Sequence, residues 1–252
     1  MFKGFYNLTS GMLTQQRNLD VVANNITNVA TAGYKGETYT SSTFGEVMYS
    51  RVGNKDKSGA EEIGPVSYLR ATDQIYTDYA QGSLEYTGLP LDFAIDGDGF
   101  FAVRGANGQV SYTRMGNFSL DTEGYLALAD YGRVLDNEGN PIQLNTDKVV
   151  GDERGYLFTE DGGWLLGQVG VYSFEDNGAL ERSVQGLFTG AGAQANADVV
   201  LHWGYTERSN VNMVDQMTEM LSAQRALQSA AQLTKMYDDL MGKAANDVGR
   251  LV

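Results

Sequence analysis

The residues with the clearest chemical potential stand near the middle of the chain, in the run Asp96-Gly97-Asp98-Gly99-Phe100-Phe101-Ala102. From Gly97 to Ala102 the spacing fits G-x-G-x-x-A, in which a glycine turn lets backbone amides approach a pyrophosphate at a helix N-terminus. That chemistry fails on two counts. The residues that follow pattern as a strand rather than a helix, and Asp98 would set a carboxylate against the phosphates. Asp96 and Asp98 also open like a calcium loop, but Phe100 stands where a third oxygen ligand is needed. A tight β-turn accounts for both. His202 is the single histidine, so any triad needing imidazole must use it. It lies between Leu201 and Trp203 in a strand pattern, which suits a packed or edge residue. No serine sits in a G-x-S-x-G elbow, and there is no G-x-x-x-x-G-K phosphate loop. Among 32 acidic residues nothing selects a catalytic pair. Asn25-Ile26-Thr27 matches a glycosylation acceptor, which has meaning only in a secretory context. The absence of cysteine excludes a disulfide framework, a thiolate metal site and a Cys nucleophile. The expectation is a protein that is no enzyme, with no catalytic, cofactor-binding or metal-ligating residues.

The bulk composition points the same way. A formal charge of −14 over 252 residues argues against nucleic acid or an anionic membrane surface as partner. A hydrophobic content of 42% supports a real core. No run approaches the roughly 20 apolar residues of a membrane span. Met1-Phe2-Lys3 leads into Gly, Asn, Thr and Ser, so no cleaved signal peptide is expected, and export by another route stays open.

With the middle carrying no chemistry, the weight shifts to the two ends. Phe5, Leu8, Met12, Leu19, Val22, Ile26 and Val29 follow alternating three- and four-residue steps, with Gln15 keeping the phase. This places one apolar stripe on a helix. The helix is expected to end within Asn24 to Gly33, where three asparagines and then a glycine suit a terminus. A stripe so narrow needs a partner helix. The partner appears only after Ser209, where Met213, Met217, Met220, Leu227, Ala231, Met241 and Val248 recur in helical phase. Gln224, Thr234 and Asp238 interrupt that stripe, and Ala226, Ala230, Leu233, Tyr237, Leu240 and Ala244 widen it.

Between the ends, Tyr34 to Tyr49 reads as extended and Gly53 to Gly64 as a mobile polar loop. Short strands are expected at Val66 to Leu69 and Ile75 to Tyr79. From Leu91 onward, strands of four to six residues alternate with Gly- and Asp-rich turns, the pattern of an antiparallel sandwich or rolled sheet. The fold class is therefore α+β, a mainly antiparallel β domain flanked by terminal helices that pair as a coiled-coil-like unit. The segments are 1–33, a helix pairing with 209–252; 34–90, an extended linker holding the loop 53–64; 91–208, the β domain; and 209–252, the second helix.

Three blocks together resemble a known family. The first is Gly11-Met12 with Gln16, Arg17, Asp20, Ala23-Asn24-Asn25, Asn28 and Gly33-Tyr34-Lys35. The second is Pro90 to Phe101, including Gly97, Gly99, Phe100 and Phe101, followed by Tyr112-Thr113-Arg114, Gly116, Phe118 and Asp121. The third is Glu207-Arg208-Ser209-Asn210-Val211 leading to Met217 and Gln224-Arg225-Ala226. In this order and over nearly the whole chain, they resemble the bacterial flagellar basal-body rod and hook proteins, most closely the proximal and distal rod members. Length slightly favours the proximal one. Thr31-Ala32-Gly33-Tyr34 departs from the family's more usual Thr-Gly-Phe tract, and Gly53–Gly64 and Asp147–Gly167 have no family anchor.

The resemblance implies a structural subunit of the rod, assembling through its terminal helices into the axial tube with the β domain outside. It implies partners that are copies of itself, other rod and hook proteins, and the flagellar type III export apparatus, with no small-molecule substrate. It places the chain in the basal body, in the envelope outside the cytoplasmic membrane. The alternatives are a hook or other rod-zone axial protein, and a soluble ligand-binding module closed by the two helices.

Overall fold

The N-terminal stripe forms a helix, α1, over Phe2–Thr27. Its hydroxyl residues bond back along the helix, Thr9 to the Phe5 carbonyl, Ser10 to Asn7 and Thr14 to Ser10, so they interrupt it without leaving polar groups unmet. Beyond its end Gly33 takes a φ of +66°, and a Cβ there would lie 2.3 Å from the Arg114 backbone. Only glycine fits that approach. The C-terminal stripe forms α2 over Met213–Gly249. Asn212 caps it, its Oδ1 accepting from the Val214 amide at 3.1 Å and its Nδ2 donating to Asp215 at 2.7 Å. Asp215 in the first turn also complements the helix dipole.

These elements belong to a computed structural model that describes residues 2–51, 61–160, 163–183, 186–196 and 199–249, with side chains left out at 2–3, 43–51, 61–63, 65–73 and 247–249. The fold is α+β, and the chain divides into two compact units. The first comprises Met1–Ile26, Glu37–Tyr76 and Asn212–Val252, and the second Thr27–Gly36 and Thr77–Val211. The sequence-derived segment 34–90 is thus shared between them.

In the first unit α1 and α2 are joined by a two-stranded ribbon of Glu37–Arg51 and Glu61–Thr77. The polar loop expected at Gly53–Gly64 falls largely on residues 52–60, outside the described residues. Where two short strands were expected around Val66 and Ile75, one long strand runs through. Arg70 to Asp73 carry no apolar alternation, and backbone pairing in a ribbon does not require one.

The second unit is built from short antiparallel strands. Phe100–Arg104 is central, pairing with Val110–Thr113, Gly132–Val134 and Val171–Ser173. Phe93–Asp96 pairs with Val200–Trp203, and Leu84–Tyr86 with Tyr205–Glu207. The continuous apolar run Phe100-Phe101-Ala102-Val103 has a simple cause. Side chains alternate along a strand, and each face here has its own core. Phe101 and Val103 pack with Phe93, Ile95, Leu126, Val134 and Leu157, whereas Phe100 and Ala102 pack with Tyr112, Leu135, Leu180 and Phe188. The Gly97-Asp98-Gly99 turn joins two strands of this unit, with positive φ at both glycines. Gly116 is dictated by proximity: a Cβ there would fall 1.6 Å from the Phe93 carbonyl oxygen.

Candidate functional site

Four contacts fix how the helices pair. The Gly4 Cα faces the Tyr237 hydroxyl, since a Cβ there would lie 3.2 Å away. Thr234 Oγ1 donates to Met12 Sδ at 3.8 Å, Asn18 Nδ2 to Glu219 at 3.2 Å, and Asn25 Nδ2 to Gln216 at 3.0 Å. As one residue number rises the other falls, so the helices run antiparallel. On α2 the protected positions are Gln216, Met220, Ala223, Leu227, Ala230, Thr234, Tyr237 and Met241, in strict four- and three-residue steps. Gln224 is the only other position between 213 and 246 that is not exposed. This is the seam spacing of a two-helix coil.

Asn25 closes the far end of this pair. It is 2% exposed. Its carboxamide mimics a strand pairing with Glu37, accepting from the Glu37 amide at 2.9 Å and donating to the Glu37 carbonyl at 2.7 Å. The same Nδ2 reaches Gln216, so one buried amide ties α1, the ribbon and α2 together. Removing it would take both of these bonds from the Glu37 backbone, at a cost of about 1–3 kcal/mol.

Within the β unit lies a second polar centre. Glu207, 1% exposed, receives Lys35 Nζ at 2.6 Å and the Gly82 amide at 2.8 Å on Oε1, and Arg114 Nη1 at 3.3 Å on Oε2. Lys35 also donates to the Ala80 carbonyl at 2.8 Å, and Arg114 Nη2 to the Gly97 carbonyl at 2.7 Å. Arg182 donates to the Lys35 carbonyl and stacks 4.4 Å over the Tyr34 ring. Burial pushes the Lys35 amine and the Arg114 guanidinium below their ordinary pKa values, and the Glu207 charge opposes that shift in each. Two cations around one carboxylate make an ionic anchor, in which Arg114 Nε alone is buried without a partner among the described residues. Asn210 braces the same segments, accepting from the Gly36 amide at 2.8 Å and donating to the Asp78 and Ala80 carbonyls. Lys35, Arg114 and Glu207 come one from each of the three sequence blocks.

The structure distributes the expected residues unevenly. Val22 is buried, Leu8, Met12, Leu19 and Ile26 are half-buried along α1, and Phe5 is 44% exposed. Val29 is half-buried in the β unit. On α2, Met220, Leu227 and Met241 lie in the seam, while Met213, Met217 and Ala231 are exposed. The Val248 side chain lies outside the described residues. Asn24 is exposed and Asn28 half-buried, whereas Gly33, Tyr34 and Lys35 are buried. Phe100 and Phe101 fill the two cores, Gly99 is buried beside them, and Gly97 is exposed at the turn. Ser209, Asn210 and Val211 are half-buried, with Ser209 Oγ accepting from the Val211 amide. Sequence reasoning did not single out Glu207 or Arg114 as site residues. Their signal was a place in the second and third blocks and a charge beside a strand pattern, and pairings over 93 and 172 residues leave no periodicity.

Among the described residues no three His, Cys, Asp or Glu side chains are grouped to hold a metal, and no helix is long and apolar enough to cross a membrane. The described geometry is thus an antiparallel helix pair in one unit and an ionically anchored cluster in the other. Residues 5–35 match the family described as flagella basal body rod protein, residues 94–150 the flagellar hook protein FlgE/F/G D1 domain, and residues 203–247 the flagellar basal body rod FlgEFG protein C-terminal. The chain is 33% identical to the flagellar basal-body rod protein FlgG of Bacillus subtilis, over 98% of this chain and 99% of the relative. It is 31% identical to the flagellar hook-basal body complex protein FlhO of the same organism, over all of both chains. It is 30% identical to the flagellar basal-body rod protein FlgF of Caulobacter vibrioides, again over both whole chains. The chain therefore belongs to the flagellar basal-body rod protein family.

Proposed function

We propose that this chain is a structural subunit of the flagellar rod that assembles through its terminal helices with copies of itself and with other rod and hook proteins. It performs no catalytic step. It reaches the rod through the flagellar type III export apparatus and acts in the envelope outside the cytoplasmic membrane. Residues 1–33 and 209–252 form the tube-building element and 91–208 the outer domain, with 34–90 between them.

One observation carries this reading. Outside the seam, the helix pair keeps Phe5, Tyr6, Leu13, Val214, Leu221, Leu233, Met236 and Leu240 between 44% and 69% exposed. Apolar surface of that extent marks a protein-binding face. The test is complementation of swimming in a flagellated strain lacking the protein. Leu13→Asp combined with Leu240→Asp is expected to abolish swimming and incorporation into basal bodies, with the unfolding midpoint of the purified chain unchanged. Normal swimming by that double variant would sink the reading. The identity to a hook-basal body complex protein supports a second placement elsewhere along the axial structure, which the position of a tagged copy in isolated basal bodies would separate.

A further inference from the structure

The chain passes between its two units at Ile26 and Thr27, Gly36 and Glu37, Tyr76 and Thr77, and Val211 and Asn212. On the β-unit side these passages are gathered by one short segment, Glu207 to Asn210. The Glu207 carbonyl accepts from the Gly33 amide at 2.7 Å, which holds the excursion Thr27–Gly36. The Arg208 amide donates to the Ser83 carbonyl at 2.9 Å. Gly82 lies so near that a Cβ there would fall 1.9 Å from the Arg208 carbonyl oxygen. The passages at Gly36 and Thr77 are joined directly, the Asp78 amide donating to the Gly36 carbonyl at 2.8 Å. It is the Asn210 side chain that adds the last passage, the one leading into α2, to that pair. Its Oδ1 accepts from the Gly36 amide at 2.8 Å, and its Nδ2 donates to the Asp78 carbonyl at 2.8 Å and the Ala80 carbonyl at 3.2 Å.

Only a short carboxamide offers an acceptor and two donors at one place, and here all three are used. Asp78 and Ala80 are exposed and Asn210 is half-buried, so these bonds lie at the rim of the β unit, outside both of its apolar cores. Their effect is on where the chain leaves the unit. We propose that Asn210 is a lock that makes the passages out of the β unit one body, so that twist applied to α2 is transmitted to the β unit instead of being absorbed at Val211 and Asn212. Without the lock, the lead-in to α2 regains the backbone freedom that ordering had removed, and the helix unit swings on separate tethers. The lock is a property of the single chain and stands apart from the rod reading.

The absence of cysteine lets two spin labels report the lock directly. Ser119→Cys and Ser229→Cys, combined in the full-length chain, put one label on an exposed strand position of the β unit and the other on an exposed position of α2. The distance distribution between them is read by pulsed electron resonance on dilute protein, in that parent and with Asn210→Asp or Asn210→Ala added. Hydrogen exchange of the Phe101 to Val103 amides checks the β core in each. The expected result is a distribution at least twofold broader with Asn210→Ala than in the parent, and unchanged core exchange. Asn210→Asp, which keeps the acceptor for Gly36 and loses both donors, should fall between. Equal widths in all three proteins, whether narrow or broad, would overturn the proposal. Loss of core protection in both variants would make Asn210 a part of the β fold itself and would overturn it too.

Discussion

The β unit and the helix unit use buried polarity in opposite ways. In the β unit the charges are spent inward: Glu207 is buried in ion pairs with both Lys35 and Arg114, and the segments it ties come from three distant parts of the chain. In the helix unit the seam itself is partly polar, with Gln216, Thr234 and Asn25 in contact positions, while Val214, Leu221, Leu233 and Leu240 face outward. The β unit does expose some large apolar side chains, Trp164 and Leu165 among them, but its core is complete without them. On the proposed reading, stability and assembly reside in different units. A change in one should leave the function of the other largely untouched.

The sharpest break of that contrast is Glu207→Ala. Two buried cations would lose their counter-charge, and the expected loss is about 3–5 kcal/mol, read as a lower urea midpoint for the β-sheet signal. Phe101→Ala, which empties a fully buried site beside Phe118, is expected to cost about 3–5 kcal/mol in the same assay. Asn25→Ala should cost less, about 1–3 kcal/mol. Its effect should appear in the helical signal by circular dichroism and leave the β transition in place. If it shifted both equally, the units would not be energetically separate.

The ionic anchor also predicts a pH signature. Burial lowers the Lys35 pKa below 10.5. The unfolded chain therefore holds more protons than the folded one between the lowered value and 10.5. In that window the Lys35 contribution to stability grows as pH rises, and it is lost as pH falls back through the folded value. Lys35→Met should remove that slope, seen as the difference between the two proteins' stability curves on the alkaline side. The smallest stability effect belongs to Leu240→Asp, within about 0.5 kcal/mol for an exposed position, although it should abolish sedimentation of the concentrated chain. A large loss of stability there would mean that Leu240 serves the monomer's own packing.

Much of the first unit was legible because helices write their partners into a period. Leu8, Met12, Leu19, Val22 and Ile26 stand on the protected side of α1, and the period of α2 was plain from Met213 onward. The strand-and-turn rhythm around Phe100 was equally plain, because a strand with a core on each face is apolar throughout. Less legible was which apolar stripe of α2 serves α1. The seam takes Ala223, Ala230 and Thr234, small or polar residues that suit close approach and hydrogen bonding, and leaves Met213 and Met217 outside. Hydrophobicity alone does not distinguish a face meant for the same chain from one meant for another.

The sequence by itself determined the α+β order, the two helical periods, the Gly97 turn and the absence of thiol chemistry, since each depends on residues close together or on composition. Only the tertiary structure decided that Lys35, Arg114 and Glu207 form one buried cluster, that Asn25 joins three elements, and that Met213 and Met217 fall outside the seam of α2 with α1. The physical reason is the same in each case. A charge pair or a seam is defined by which surfaces desolvate one another, and desolvation follows from packing across the chain, which local pattern does not encode.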